Sequence, residues 1–194
     1  MPPSNPLILA SGSAQRKRIL KQLGIRFRAI PSRVDENPGR LRSPVAIAKH
    51  LALKKARAVA RRHPNSWVLG VDTLVVLRNG KISGKPKNKA EAKAVLKTYR
   101  GAHCDVISGI ALVNCSLKKE QVMAERTRLY FRNFTEKDID AYLASTSRWR
   151  NSSGAMTIEG VGERWVKRLD GDYWNVVGLP VVTLKKMLQN LPCF

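Results

Sequence analysis

Acidic side chains are scarce in this chain. Fourteen Asp and Glu stand against 36 Lys and Arg, a net charge of +22 over 194 residues. A field of that sign draws polyanions: nucleotides, nucleic acid or an anionic membrane. For any one lysine the alternative is a solvated side chain that sets only solubility. Cysteine is scarce too. Cys104, Cys115 and Cys193 are odd in number and lack metal-ligand spacing, which points to a reducing, intracellular compartment. Aromatics make up 6% and do not interleave with the basic residues, which argues against a stacking platform for single strands. No apolar run approaches the ~20 residues needed to span a bilayer. The opening Met1-Pro2-Pro3-Ser4-Asn5-Pro6 has neither a charged n-region nor a long apolar stretch, so no signal peptide is expected there. Internal repeats, low-complexity blocks and a clear linker are also missing.

What is present is ordinary for a globular chain. Hydrophobic residues make up 43%, and the length suits one domain, or one domain with a small lobe. Leu7 to Ala10 is a short apolar run expected to form a buried parallel strand. Ser11-Gly12-Ser13 ends it, and Ile19, Leu20 and Leu23 then recur at helical spacing until Gly24. Arg26–Ile30 alternates as a strand, and 31–43 is predicted loop. Ser43-Pro44 opens a helix running to about Arg62. Trp67–Leu77 is a strongly apolar strand, and Asn79-Gly80 signals a hairpin returning through Lys81-Ile82. A helix over Lys89–Tyr99 and strands over Val106–Asn114 and Val122–Phe131 follow. Thr135 with Asp138 three residues on starts another helix. Arg148–Gly162 is expected to be irregular, and a helix over 181–190 follows Gly178 and Pro180. The order of elements is mixed α/β.

Five places in this order can carry chemistry. Ser11-Gly12-Ser13-Ala14-Gln15-Arg16 joins a strand to a helix, so backbone N–H groups and the positive helix end face whatever binds there. The Ser11 and Ser13 hydroxyls add donors, and Arg16 can grip a phosphate bidentately. The alternative is that Ser13 is simply an N-cap. Asp72 stands inside the apolar run Val68–Val76, where a carboxylate is costly unless paired or metal-bound. It is either functional or half of a buried ion pair with a lysine. Asp35-Glu36 are the only acids in the first 71 residues. They suit a Mg²⁺ site, which needs one or two carboxylates plus phosphate oxygens, or a local salt bridge with Arg33 or Arg40. Lys55, mid-helix, and Lys85, in Gly84-Lys85-Pro86, are phosphate clamps or ordinary surface. Gly154–Gly162 allows close backbone approach, and Glu159 within it can read a base edge or be an exposed turn residue. His50, His63 and His103 share no ligand spacing. Cys104 has no histidine–acid pair to activate it.

Taken together, L-I-L-A-S-G-S-A-Q-R, V-D-E, L-K-K-A, G-V-D-T, G-K-P and N-V-V-G-L-P stand in the order and spacing of the Maf family of nucleotide pyrophosphatases. The resemblance runs from about Leu7 to Leu191. It implies an ITPase-like α/β fold, a mixed twisted sheet flanked by helices with two lobes around a deep cleft, as one domain over 1–194. It implies hydrolysis of a nucleoside triphosphate to the monophosphate and pyrophosphate with Mg²⁺ or Mn²⁺, in nucleotide-pool sanitation or cell division. It implies a cytoplasmic homodimer with no membrane partner. By resemblance, Ser11, Ser13 and Arg16 hold the triphosphate. Asp72 is the proton acceptor, with Glu36, Lys55 and Lys85 beside it, and Glu36 and Asp72 hold the metal. The base-selecting positions fall on Gln15, Thr73 and Glu159.

The chain also departs from the family's pattern. Ala14-Gln15 stands where Pro-Arg is usual, Ser152 where a lysine is usual, and Cys104 where a histidine is often found. Thr73 is similar to the dTTP/UTP-directed branch and Glu159 to the 7-methyl-GTP-directed branch. Gln15 matches neither. The rival expectation is a basic nucleic-acid-binding module without catalysis. It is favoured by residues 15–62, which hold fifteen Lys/Arg against Asp35 and Glu36, and opposed by the lack of any nucleic-acid motif.

Overall fold

The computed structural model of the chain describes residues 6–189 and 191, apart from the side chain of Val161. Met1–Asn5, Asn190 and Cys193, which entered the expectations above, lie outside the described residues. Among the described residues seven strands form one sheet in the order β2-β1-β3-β5-β6-β7, with β4 paired to β3. They are β1 (Leu7–Leu9), β2 (Phe27–Ala29), β3 (Val68–Leu77), β4 (Ile82–Ser83), β5 (His103–Asn114), β6 (Lys119–Phe131) and β7 (Val166–Asp170). β1 pairs in parallel with β2 and β3, while β3–β4 and β6–β7 are antiparallel. The mixed α/β expectation holds. The helices are α1 (Ala14–Gln22), α2 (Pro44–Ala60), α3 (Lys89–Lys97), α4 (Glu136–Ser145), α5 (Tyr173–Val177) and α6 (Val181–Gln189). Among the described residues, no helix is long and apolar enough to cross a membrane.

The chain divides into two compact units, and β3, β5 and β6 each pass from one into the other. The first unit comprises Met1–Asp72, Ser108–Glu125 and Gly178–Phe194. β1 is wholly buried there, as a strand with neighbours on both sides and an unbroken apolar sequence must be. Ser43 caps α2 through its side chain and Pro44 opens it, where a missing N–H costs nothing. α2 buries an alanine-rich face of Ala48, Ala52, Ala56 and Ala60. Small residues let its backbone approach the sheet, and two glycines receive it. A Cβ at Gly70 would collide with the Ala52 carbonyl oxygen, and one at Gly109 with the Ala48 carbonyl oxygen.

The second unit comprises Thr73–Ile107 and Arg126–Val177. Its core is aromatic. Tyr99 stacks on Phe131 at 4.8 Å between centroids, and Phe134 stacks on Trp165 at 4.3 Å. Thr135 and Asp138 form a reciprocal capping box at the start of α4, with Asp138 Oδ2 accepting from Thr135 N at 2.7 Å. Arg148–Trp165 contains three short 3₁₀ turns in place of regular structure. β7 falls where no element was expected, because Val166 and Leu169 are its only apolar residues; among the described residues it pairs with β6 alone. β5 and β6 each begin three residues earlier than their apolar runs suggested, since polar residues extend the pairing beyond the apolar stretch.

Candidate active site

The chain leaves β1 at Ala10 and turns through Ser11-Gly12-Ser13 into α1. Ser13 Oγ accepts from Arg16 N at 3.4 Å, so Ser13 is an N-cap as well as a candidate phosphate donor. Ser11 Oγ accepts from Ser13 N at 3.2 Å and from Arg16 Nη1 at 3.1 Å. Arg16 Nε donates to the Gly178 carbonyl at 3.0 Å, across 162 residues of sequence. The guanidinium is thus held from two sides and cannot swing away from the turn. Burial lowers its pKa from the ordinary value, while the charges of Asp72 and Glu36 oppose that shift. An arginine remains a cation under such a shift. Gln15 also faces the turn, its Oε1 accepting from Ser13 Oγ at 3.4 Å.

Asp72 lies in β3, buried at 5% exposure. Its partner is Lys55 from α2, whose Nζ donates to Asp72 Oδ1 at 2.5 Å. The same ammonium meets Glu36 Oε1 at 2.8 Å. Three residues that the sequence suggested separately are therefore joined through one nitrogen. Asp72 is half of a buried ion pair with a lysine, one of the two readings its sequence position left open. Glu36 reaches Lys55 rather than Arg33 or Arg40, and its side chain stays 64% exposed. Asp35 turns back on its own loop and accepts from Asn37 N at 3.0 Å. Lys55 is buried, not surface.

The remaining candidates belong to the second unit. Lys85 is exposed in the turn after β4. That turn is pinned by Gly154 N donating to the Gly84 carbonyl at 3.1 Å, and Tyr99 Oη donates to the Gly154 carbonyl at 2.9 Å. The late glycine segment and the Gly84-Lys85-Pro86 turn are so brought together. Gly154 has φ 76°, and a Cβ there would stand 2.5 Å from Tyr99 Oη. Thr73 follows Asp72 in β3, and Glu159, half-buried, precedes the 3₁₀ turn Gly160–Trp165. Burial pushes the Cys104 thiol up to about 12, aided by the charge of Asp105, so no thiolate chemistry is available there.

Two roles inside N-V-V-G-L-P were not legible in the sequence. One is the Gly178 carbonyl as the anchor of Arg16. The available signal was a glycine set before Leu179-Pro180, and in the structure that glycine has φ 126°. The other is Asn175, fully buried, which donates to the Val106 carbonyl at 3.1 Å and to Thr127 Oγ1 at 3.0 Å. An amide inside Trp174-Asn175-Val176-Val177 was the available signal.

A strand–turn–helix junction of the kind that can hold an anion, beside a buried carboxylate–ammonium pair, is compatible with α/β enzymes that act on phosphate anhydrides. The family model described as "Maf-like protein" matches residues 6–191. A dTTP/UTP pyrophosphatase of Bacillus mycoides is 41% identical over 183 residues, covering 94% of each chain. A dTTP/UTP pyrophosphatase of Pelotomaculum thermopropionicum is 39% identical, covering 94% of this chain and 95% of that one. The solved Ham1 protein of Staphylococcus aureus aligns with 66% of this chain and 72% of that one, at 11% identity and a TM-score of 0.47. This chain belongs to the Maf family.

Proposed function

We propose that this Maf-family nucleotide pyrophosphatase cleaves nucleoside triphosphates between the α- and β-phosphates, with dTTP and UTP preferred. The observation that carries the chemistry is the buried Asp72 paired with Lys55. In this reading Ser11, Ser13 and Arg16 hold the phosphates, joined by Lys55 and Lys85. A water oxygen attacks the α-phosphorus, the α–β anhydride bond breaks, and the bridging oxygen leaves with pyrophosphate. Asp72 takes the water's proton. Its Oδ1 is engaged by Lys55, and among the described residues no hydrogen bond occupies Oδ2. Catalysis rests on positioning and charge neutralisation, without a covalent intermediate.

The donor set suits a divalent cation. Glu36 and Asp72 already converge on a single positive nitrogen, and Mg²⁺ typically takes one or two carboxylates plus phosphate oxygens and water. Among the described residues no group of three or more potential ligands exists, so substrate oxygens would complete the shell. Bound there, Mg²⁺ or Mn²⁺ would supply Lewis-acid neutralisation of the triphosphate.

The preference for dTTP and UTP is supported by Thr73 and by the names of the relatives. A second reading, 7-methyl-GTP, is favoured by Glu159, whose carboxylate can accept N–H donors from a guanine edge. Residues 1–194 act as one domain in this reading, because three strands thread both units. A cytoplasmic homodimer follows from the family resemblance, and light scattering tests the dimer.

Pyrophosphate release is to be measured on dTTP, UTP, 7-methyl-GTP and the other common triphosphates with Mg²⁺ and with Mn²⁺. The expected order places dTTP and UTP first. Asp72→Asn is expected to lose at least ~10²-fold in kcat, the low end for removing a general base. Full activity in that variant would make Asp72 structural and overturn the mechanism.

A further inference from the structure

The triphosphate turn lies at the C-terminal end of β1, but much of the first unit's charge lies at the opposite end of the same strands. Ile8 N donates to the Trp67 carbonyl at 2.9 Å, which sets the start of β1 beside the start of β3. β2 begins at the same end, since Leu7 pairs with Phe27. Arg26 immediately precedes β2, and Lys21 closes the last turn of α1. Arg61 and Arg62 follow α2 on the way into β3. Lys118 and Lys119 stand where β5 turns into β6. All six side chains are exposed, and none pairs with an acid among the described residues. The nearby Glu120 is engaged bidentately by Arg57, at 2.8 and 2.6 Å, so it does not neutralise them.

Two of the turns are fastened together. Ser116 N donates to the Pro64 carbonyl at 3.0 Å, and Ser116 Oγ to Asn65 Oδ1 at 2.6 Å. The buried Asn114 accepts from Leu117 N at 2.9 Å. Arg61, Arg62, Lys118 and Lys119 are thereby held in one place without using their charges. Lys118 has φ 50°, a left-handed conformation in which glycine or asparagine is usual.

We propose that this end of the sheet is a second binding surface, for the phosphodiester backbone of duplex nucleic acid. From Arg26 beside β2 to Lys119 in β6 the ridge crosses four strand spacings, about 19 Å at ~4.8 Å each. With one phosphate per ~3.4 Å along a strand, it meets about six on the facing strand. The half-buried Phe27 and the buried Trp67 offer no open ring face, so the surface grips backbone rather than stacking single-stranded bases. An anionic membrane is the weaker fit, because Leu117 is the only large apolar side chain exposed at this end among the described residues. The surface is distinct from the triphosphate site. Trp67 to Asp72 is about 17 Å of strand at ~3.3 Å per residue. It also differs from the rival expectation of a non-catalytic module, since it coexists with the enzyme's site.

The test is fluorescence anisotropy of a labelled 24-base-pair duplex with the full chain between 50 and 200 mM salt. Six neutralised phosphates give a slope of log K against log salt near −5, a loss of about 10³-fold over that range. Arg61→Gln/Arg62→Gln/Lys118→Gln/Lys119→Gln is expected to flatten the slope to about −2 while keeping its thermal unfolding transition and its pyrophosphate release from dTTP. Saturating pyrophosphate should not displace the duplex. Four results overturn the proposal: unchanged binding by that variant; an equal loss in Lys87→Gln/Lys89→Gln/Arg100→Gln/Arg132→Gln, which removes four charges elsewhere; displacement by pyrophosphate; or binding to phosphatidylserine vesicles without binding to the duplex.

Discussion

Lys55 carries a full charge into a place where 8% of its side chain meets solvent. Taking an ammonium out of water costs several kcal/mol, and the two carboxylates at its head offset that cost. The energies predict a clear asymmetry. Lys55→Met leaves Asp72 buried with its direct partner gone and is expected to cost about 3 kcal/mol, the low end for breaking a buried pair. Arg16, whose charge Asp72 also feels, moderates the loss. Lys55→Met/Asp72→Asn removes both charges and is expected to be more stable than the sum of the two single changes implies. Urea unfolding of the four proteins measures the coupling. An additive cycle would mean that the pair contributes nothing through its contact.

The element that places Lys55 is α2, and what places α2 is the sheet beneath it. Gly70 in β3 and Gly109 in β5 have no side chain because the helix backbone occupies that space. Gly109→Ala must push the Ala48 turn outward and is expected to cost about 1–3 kcal/mol, the usual range for overpacking. The shift is carried along the helix toward Lys55, so activity should fall more than stability alone accounts for. A thermal melt and a dTTP assay on the same preparation check both. Unchanged activity at lowered stability would separate α2's packing from the site. Much of this was legible beforehand: the start follows from Ser43 as N-cap and Pro44 at the first helical position, and the apolar face follows from spacing three and four residues apart. The role of the two glycines was not legible, because nothing local announces that a helix will lie against them.

For the whole molecule, charge sets the response to pH and salt. Burial raises the pKa of Asp105, but hydrogen bonds and charge from Arg128 and Arg126 outweigh it and hold the carboxyl below its usual range. Glu120 is held low by its hydrogen bond to Arg57. A carboxylate with a lowered folded pKa stabilises the fold above its unfolded pKa, near ~3.9 for Asp and ~4.3 for Glu. That stability is lost as pH falls through the folded value. Protonation also raises a net charge already at +22, so self-repulsion grows in the same window. The melting temperature is expected to be flat near neutrality and to fall below about pH 4.5. At low ionic strength it should rise as salt screens the repulsion. Circular dichroism melts at two salt concentrations from pH 3 to 8 read this directly. A midpoint that holds down to pH 3 would remove the carboxylates from the account.

The sequence by itself determined the local structure and the list of reactive groups. Strand, turn and helix at Leu7–Gln22, the hairpin at Asn79-Gly80 and the capping box at Thr135 follow from backbone preferences and side-chain spacing over a few residues. The cost of burying Asp72 singled it out wherever the strand was to lie. Only the tertiary structure decided who meets whom. Lys55 and Asp72 are 17 residues apart, and Arg16 and the Gly178 carbonyl are 162 apart. β7 became a strand because β6 had an edge to fill, not because its own residues demanded it. Periodicity is a property of the chain's own geometry and shows in any short stretch. Pairing depends on which surfaces pack together, and here it depends on a helix settling onto two strands that left it room.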